Sequence, residues 1–582
     1  MSATLTDLEK KQIAQAEELL FSGEEKEGFC KALFFGRFRA QSILPFPELS
    51  EAEEVIGDEA VSAVREFCES HIDAAKIDRD ALIPDSVIHG LGDMGVLGMT
   101  ISEQYGGAGM SQQNYSRVME VIGGHCGSTS VFVNAHHSIG IRALELFGTA
   151  EQKEKWMAPL MTGRKLAAFA LTEPMAGSDA GNVRTRAEPT EDGTAYILNG
   201  EKRWITNGGI ADCLTVMART PDPTQPDGKI TAFLVTPDMA GFEVLEERME
   251  KVGIRGTATG RLKFTNMRVP AANVLGPVGK GLRVALTVLD FGRTTFGAGC
   301  TGAAKFCVEK MVERANERIQ FGKSLGEFEL VQQKIAEAAA DTYAMESATC
   351  HTAALIDSGA EDYMMETAML KVFASDQLWR IVNDCLQIWG GKGFFTDEPF
   401  ERMMRDARLN QIGEGANDVL RCFVAAVGLR HLGKEMETLL KKPWEAIKFA
   451  PSKPKLPVKH DHMTYFARQI AKQIGAFSWA CKTALVKHRE GIINQQLIQA
   501  RLGDIATELF MASCVYSRLT NLLLNGTIEE PVKMREFRTG ALYLRMARHR
   551  NRQRFDDLKG NYDVETVAVA KDWLNHNFEA SN

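Results

Sequence analysis

A chain of 582 residues is longer than one hydrophobic core supports, so several domains are expected. Its residues are 45% apolar and 25% charged, as in ordinary globular proteins, and a net charge of −8 with no basic excess argues against a nucleic-acid partner. Eleven cysteines without a C-x-x-C pair suit a reducing compartment better than a disulfide framework.

The opening segment, MSATLTDLEKKQIAQAEELL, carries several acids and no Lys/Arg-led apolar run. It resembles neither a secretory signal nor a transit peptide. No uncharged apolar window approaches the length of a spanning helix. The expectation is a bacterial cytoplasmic protein, or a mature mitochondrial form if the source is eukaryotic.

Residues 1–49 read as an N-terminal arm. From 50 to 165 apolar residues recur every three or four positions, as in DEAVSAVREFCESHIDAAKI, which predicts a helical domain broken at YGGAGM. Between 166 and 275 the period becomes that of strands, predicting a middle β domain, barrel or sandwich. There TAYILNGEKRWITNGG reads as two strands joined at Asn199-Gly200, a dipeptide suited to a two-residue type I′ hairpin. Helical periodicity returns over 276–438, predicting a four-helix bundle. A proline-rich linker is expected at 439–462 and an appended helical domain at 463–582. The fold class is therefore α+β, mostly α.

Three segments carry chemistry. FALTEPMAGSD (169–179) runs from a β-prone stretch into a loop whose N–H groups and Thr172 and Ser178 hydroxyls are free for a polar ligand. An ordinary strand exit is an equal reading. In RWITNGG, Trp204 and Thr206 are two apart, so on a strand they share a face. An indole beside a hydroxyl suits a flat heterocycle, and a core Trp beside a surface Thr is the bland alternative. In NQIGEGANDVLR, Glu414 stands alone between Gly413 and Gly415, which weaken regular structure by roughly 0.5–1 kcal/mol each relative to Ala. A helix-capping loop with an incidental acid is the competing reading there.

These segments do not stand alone. LTEPMAGSD, NGEKRWITNGG, ERIQFGKSL, QIWGGKGF and GEGANDVLR follow one another in an order that resembles the acyl-CoA dehydrogenase family of flavoproteins. The resemblance covers roughly 60–435. ALFFGRFRAQSILPFPEL, YGGAGM, HHSIG and the C-terminal extension are similar to its very-long-chain branch, which includes a relative that helps assemble respiratory complex I.

The resemblance implies FAD as cofactor and a long-chain acyl-CoA as substrate. Phe169, Leu171 and Thr172 match the segment that bonds the flavin pyrimidine edge, and Ser178 the serine at the cofactor and CoA phosphates. Trp204 and Thr206 match the pair against the isoalloxazine. Arg318, Gln320 and Phe321 match a motif that reaches the FAD of a neighbouring subunit, implying a homodimer. Gln387, Gly390 and Gly391 match the segment along the adenosine diphosphate portion. Ala416, Asn417 and Asp418 fall at a further cofactor contact, where Ala416 replaces the usual threonine and one hydroxyl is lost.

Glu414 matches the catalytic base and Gly415 a substrate-contacting glycine. The implied reaction is α,β-dehydrogenation of the thioester to a trans-2-enoyl-CoA, the first step of fatty-acid β-oxidation. A base takes the α proton, a hydride passes to flavin N5, and electrons go on to electron-transfer flavoprotein. Burial beside an acyl chain would raise the base from the aqueous Glu value of about 4.3. The flanking glycines let substrate approach a backbone N–H that polarises the thioester carbonyl. In some branches the base lies one residue before Arg293, a position that here is Gly292, so no rival acid exists. Gly292 is expected to widen the bottom of the acyl pocket, or to ease helix packing. Asp290 and Arg293 match CoA-contacting positions, with an ordinary surface ion pair as the alternative.

GPVGKGLRVA lacks dinucleotide-binding spacing, and HDH (460–462) reads as a solvated turn, so no metal is expected. YLRMARHRNRQRF concentrates five arginines. A solvated or dimer-facing stripe is the preferred reading there, and attraction to anionic lipid the alternative. The segment 440–490 is the other membrane candidate. A scaffold protein keeping the same fold is the rival function, and retention of Glu414, Trp204, Thr206 and Arg318 argues against it. An oxidase on this fold is disfavoured by the extension.

Overall fold

A computed structural model describes residues 28–440, 453–526 and 530–576. The first 27 residues of the expected arm and half of the expected linker lie outside them. Among the described residues, 28–44 and 420–576 form one compact unit and 45–419 the other.

In the first unit, α1 (Phe29–Phe34) is buried along its whole length. Phe34 packs edge-on against Phe477, with ring centroids 4.8 Å apart, and Phe29 lies 6.4 Å from Phe510. The second unit opens with α2 (Glu51–His71), started by a capping box in which Ser50 and Glu53 satisfy each other's N–H. Helices α3 (Ala74–Asp80), α4 (Asp85–Asp93), α5 (Gln112–His125) and α6 (Gly127–Val133) follow. Residues Asn134–Ile141 then form a π-helical segment leading into α7 (Arg142–Phe147) and α8 (Ala150–Met161). Wider turns of this kind are rare and gather at functional sites.

An eight-stranded sheet fills the middle: β1 (Ala167–Ala170), β2 (Arg186–Pro189), β3 (Ala195–Ile205), β4 (Cys213–Asp222), β5 (Gln225–Val235), β6 (Phe242–Glu246), β7 (Gly260–Pro270) and β8 (Val274–Leu275). The order is β6-β7-β3-β2-β4-β5-β8, with β1 added parallel to β4. Ala168, Leu198, Val216, Phe233 and Phe264 form its buried face.

The expected Asn199-Gly200 hairpin is absent. β3 runs straight through the dipeptide, and its register against β7 shifts between Leu198 and Gly200. Gly200 packs so closely on Thr185 that a Cβ would collide with its hydroxyl. The glycine therefore serves a bulge with close backbone approach, not a turn. A two-residue turn does occur at Phe321-Gly322, where φ is +51° and +78°. It joins β9 (Ile319–Gln320) to β10 (Lys323–Ser324), and both central residues are left-handed as a type I′ turn requires.

Helices complete the unit: the long α9 (Gly281–Glu317), α10 (Glu329–Asp357) and α11 (Met364–Trp389), then the shorter α12 (Gly391–Phe394) and α13 (Phe400–Asn410), followed by α14 (Asn417–Leu440). Beyond the expected linker, whose residues 441–452 are not described, come α15 (Thr464–His488), α16 (Gln496–Leu524), α17 (Pro531–Asp557) and α18 (Asp563–Leu574). The arginine stripe lies on α17, where Arg550 and Arg554 pair with the buried Glu508 of α16. No described helix is long and apolar enough to cross a membrane.

Candidate active site

The turn after α13 places Glu414 in the left-handed region, with φ +55°, followed by Gly415 at +98°. A non-glycine residue there costs roughly 1–2 kcal/mol, so the surroundings must hold it. Arg293 Nε donates to the Glu414 carbonyl at 3.3 Å, and Lys371 Nζ donates to the Gly415 carbonyl at 2.8 Å. Lys371 also donates to Asn417 Oδ1 at 2.8 Å, while Asn417 Nδ2 reaches Ser375 Oγ at 2.9 Å and Asp376 Oδ1 at 2.8 Å. Asn417, nominated from sequence as a cofactor contact, is thus buried and turned inward, where it ties the loop to α11. Ala416 is half-buried between the turn and α14, and Asp418 is exposed on the first turn of α14.

Glu414 accepts a hydrogen bond on Oε1 from Asn134 Nδ2, while its Oε2 is buried and has no partner among the described residues. Burial pushes the carboxyl up to about 7, against the opposing pull of Lys371, Arg293 and the Asn134 bond. Lys371 is itself drawn down to about 8 by burial. A group poised near neutrality in a shielded pocket is suited to general-base work.

Gly292 of α9 lies directly against this carboxylate. A methyl group there would sit 2.9 Å from Ile139 Cγ1 and 3.0 Å from Glu414 Oε2. The missing side chain makes room for the acid itself. Gly292→Ala should therefore lower kcat/KM by roughly 10²-fold through displacement of the carboxylate. Steady-state kinetics with an unchanged kcat/KM would show that the carboxylate moves freely. Asp290 and Arg293 form a 3.1 Å ion pair that is buried, with Thr367 Oγ1 donating to Asp290 at 2.8 Å. The surface-pair alternative is thereby corrected.

A second cluster joins the other two motifs. Glu173 and Lys202 form a fully buried pair at 2.7 Å. Glu173 also accepts from the backbone N–H of Arg184 at 2.6 Å and of Thr185 at 3.0 Å, and Lys202 Nζ donates to the Leu171 carbonyl at 2.9 Å. Arg203 N–H donates to the Thr172 carbonyl at 3.0 Å. The strand carrying Trp204 is thereby laid beside the loop carrying Leu171 and Thr172.

The expected alternation at Trp204 and Thr206 fails. A register shift falls between Lys202 and Ile205, Trp204 has φ +58°, and Thr206 lies one residue beyond β3. Trp204 is 53% exposed, which leaves an indole face open. Three residues on, Asn207 has φ +62° and a buried Oδ1 without a partner among the described residues, while its Nδ2 donates to the Phe132 carbonyl at 3.4 Å. Phe132 and Asn134 are two residues apart, so one short segment touches both the Trp204 loop and Glu414. An open aromatic face with an unpaired buried acceptor close by fits the flavin that the resemblance implies.

The remaining nominated residues sit elsewhere on the unit. Phe169 and Leu171 are half-buried at the end of β1 and beyond it, and Ser178 is exposed on the following loop. Arg318 and Gln320 are exposed beside the β9–β10 turn, whose Phe321 is 94% exposed. Gln387, Gly390 and Gly391 are exposed at the end of α11, and nothing lies within 4 Å of where a Cβ on either glycine would stand. Sequence reading missed Asn134, Glu173, Lys202 and Lys371. Only the position of Glu173 and Lys202 inside two motifs could have drawn attention to them.

The chain is similar to known proteins over most of its length. Models of the N-terminal, middle and C-terminal domains of acyl-CoA dehydrogenases match residues 58–164, 168–267 and 279–429, and the ACAD9/ACADV C-terminal domain matches 461–577. A mitochondrial very long-chain specific acyl-CoA dehydrogenase of Macaca fascicularis is 36% identical over 525 residues, covering 86% of this chain and 80% of that protein. The chain belongs to the acyl-CoA dehydrogenase family. Within this family, the crystal structure of an acyl-CoA dehydrogenase complexed with FAD from Bacillus anthracis matches with a TM-score of 0.81 at 27% identity, covering 95% of this chain and 96% of that one. Butyryl-CoA dehydrogenase from Megasphaera elsdenii matches with a TM-score of 0.62 at 32% identity, covering 66% of this chain and 99% of that one.

Proposed function

We propose that this FAD-dependent acyl-CoA dehydrogenase oxidises long or very-long-chain acyl-CoA thioesters to trans-2-enoyl-CoA, with Glu414 as the base. The observation that carries the reading is a shielded carboxylate held near neutrality, with one oxygen bonded and the other unpartnered. Oε2 takes the α proton while Asn134 steadies Oε1. Arg293 and Lys371 keep the strained turn in place through the transfer. FAD, when bound, supplies the acceptor for the β hydrogen that no side chain can provide. Phe169, Leu171, Thr172, Ser178, Trp204 and Thr206 would hold it from one subunit. Arg318, Gln320 and Phe321 would reach it from a second copy in a homodimer, and Gln387, Gly390 and Gly391 would lie along its adenosine diphosphate portion. Gly415, Ser178, Asp290 and Arg293 would serve the thioester and CoA.

Similarity to a very long-chain specific relative supports the chain-length reading. Electron-transfer flavoprotein is the proposed acceptor, and the proposed location is the bacterial cytoplasm, or mitochondria in a eukaryote. The proposed helical, β, bundle and extension segments draw support from the spans of the four matching domain models.

Anaerobic titration with thioesters from butyryl- to arachidoyl-CoA tests substrate choice. Each buried methylene contributes about 0.8 kcal/mol, roughly fourfold in affinity, so apparent affinity should climb with chain length to palmitoyl-CoA or beyond. A maximum at butyryl-CoA would overturn the long-chain assignment.

A further inference from the structure

Among the described residues, the sole hydrogen bond to the Glu414 carboxylate comes from Asn134. Other contacts with this turn hold its backbone, through Arg293 and Lys371. Asn134 is buried at the start of the π-helical segment, where α6 passes into wider turns without a capping bond. Its Oδ1 is buried and has no partner among the described residues, so no second bond there orients the amide. Reversed, the amide would set an oxygen against a carboxylate oxygen, two acceptors face to face. The carboxylate thus selects the amide's orientation, and the amide selects one carboxylate oxygen.

We propose that Asn134 is a positioning residue that pins Glu414 Oε1 and thereby makes Oε2 the atom that receives the substrate's α proton. This deepens the reading of Glu414 as the base and rests on it. In the transfer, the substrate C–H bond breaks and an O–H bond forms at Oε2. Oε1 becomes the carbonyl oxygen of the neutral acid and still accepts from Asn134, so the bond persists through the step. An untethered carboxyl could rotate between its two oxygens. The charged groups facing Glu414 are Lys371 from α11 and Arg293 from α9. The Cys300 thiol of α9 also faces it, pushed by burial up to about 12 and so neutral at physiological pH. Lys371 and Arg293 attract the carboxylate by charge, while the hydrogen bonds they give this turn go to its backbone carbonyls.

The test compares pH profiles of kcat/KM for the FAD-loaded wild type, Asn134→Leu and the isosteric Asn134→Asp. Infrared titration of the Glu414 carboxyl, identified by its loss in Glu414→Gln, runs alongside. Losing the N–H donor should move both the acid limb and the infrared midpoint to higher pH by on the order of one unit. The shift should be larger for Asp, which adds a like charge. KM should stay near that of the wild type while kcat falls. If Leu does not fold, Asp alone decides. Limb and midpoint at the wild-type position in the folded variants would overturn the proposal. Full activity in Glu414→Gln would instead overturn the base assignment, so the two failures are distinguishable.

Discussion

Glu414→Gln should lower kcat by at least about 10²-fold, the lower end of what a positioned base contributes, while FAD stays bound. The amide matches the acid in size and can still accept from Asn134 Nδ2, so the turn and its ties to Arg293 and Lys371 are kept. What it cannot do is take a proton. The same assignment fixes the pH dependence in the wild type. Burial raises the Glu414 carboxyl to about 7, and only the ionised form accepts the α proton. Activity is therefore low below that value and rises with pH through it. In the variant this limb disappears with the group that titrates. Stopped-flow and steady-state kinetics over the neutral range measure both effects, and a limb that survives in Glu414→Gln would assign it to another residue.

Lys202→Met should destabilise the middle sheet by about 3–5 kcal/mol, the usual cost of leaving one partner of a buried pair alone. Glu173 would remain shielded, without its ammonium partner 2.7 Å away. The Leu171 carbonyl would also lose its donor, so the loop with Leu171 and Thr172 should loosen from the strand bearing Trp204. FAD retention should fall together with the thermal midpoint. Adding Glu173→Leu removes the stranded charge and should recover part of the loss. Recovery stays incomplete because the N–H groups of Arg184 and Thr185 then lack an acceptor. Equal midpoints for the single variant and the wild type, by calorimetry or flavin fluorescence, would show that the pair adds nothing net.

Apolar periodicity made the order of helices and strands legible, because it records burial along a local stretch of chain. Turn chemistry was less secure. Asn199-Gly200 satisfies the rule for a hairpin, yet close packing on Thr185 makes it a bulge, while the less conspicuous Phe321-Gly322 makes the tight turn. Alternation at Trp204 and Thr206 failed for a related reason, since a bulge resets which face each residue takes.

At the site, the glycines around Glu414 mark a special backbone, but the left-handed residue includes the acid itself. Its partners were not readable. Asn134 lies 280 positions away, and neither residue bears a local signal of the other. Lys371 lies mid-helix, 46 positions from Asn417, and looks like any helical lysine until burial is known. Asn417 shows the converse. Its place in a motif suggested a ligand contact, and the fold uses its amide inside the protein.

The most direct test of the central claim is to mix FAD-loaded wild type and Glu414→Gln with excess palmitoyl-CoA under anaerobic conditions and follow the flavin colour. The yellow should bleach in the wild type and persist in the variant. Persistent colour in both proteins, or equal bleaching in both, would contradict the role given to Glu414.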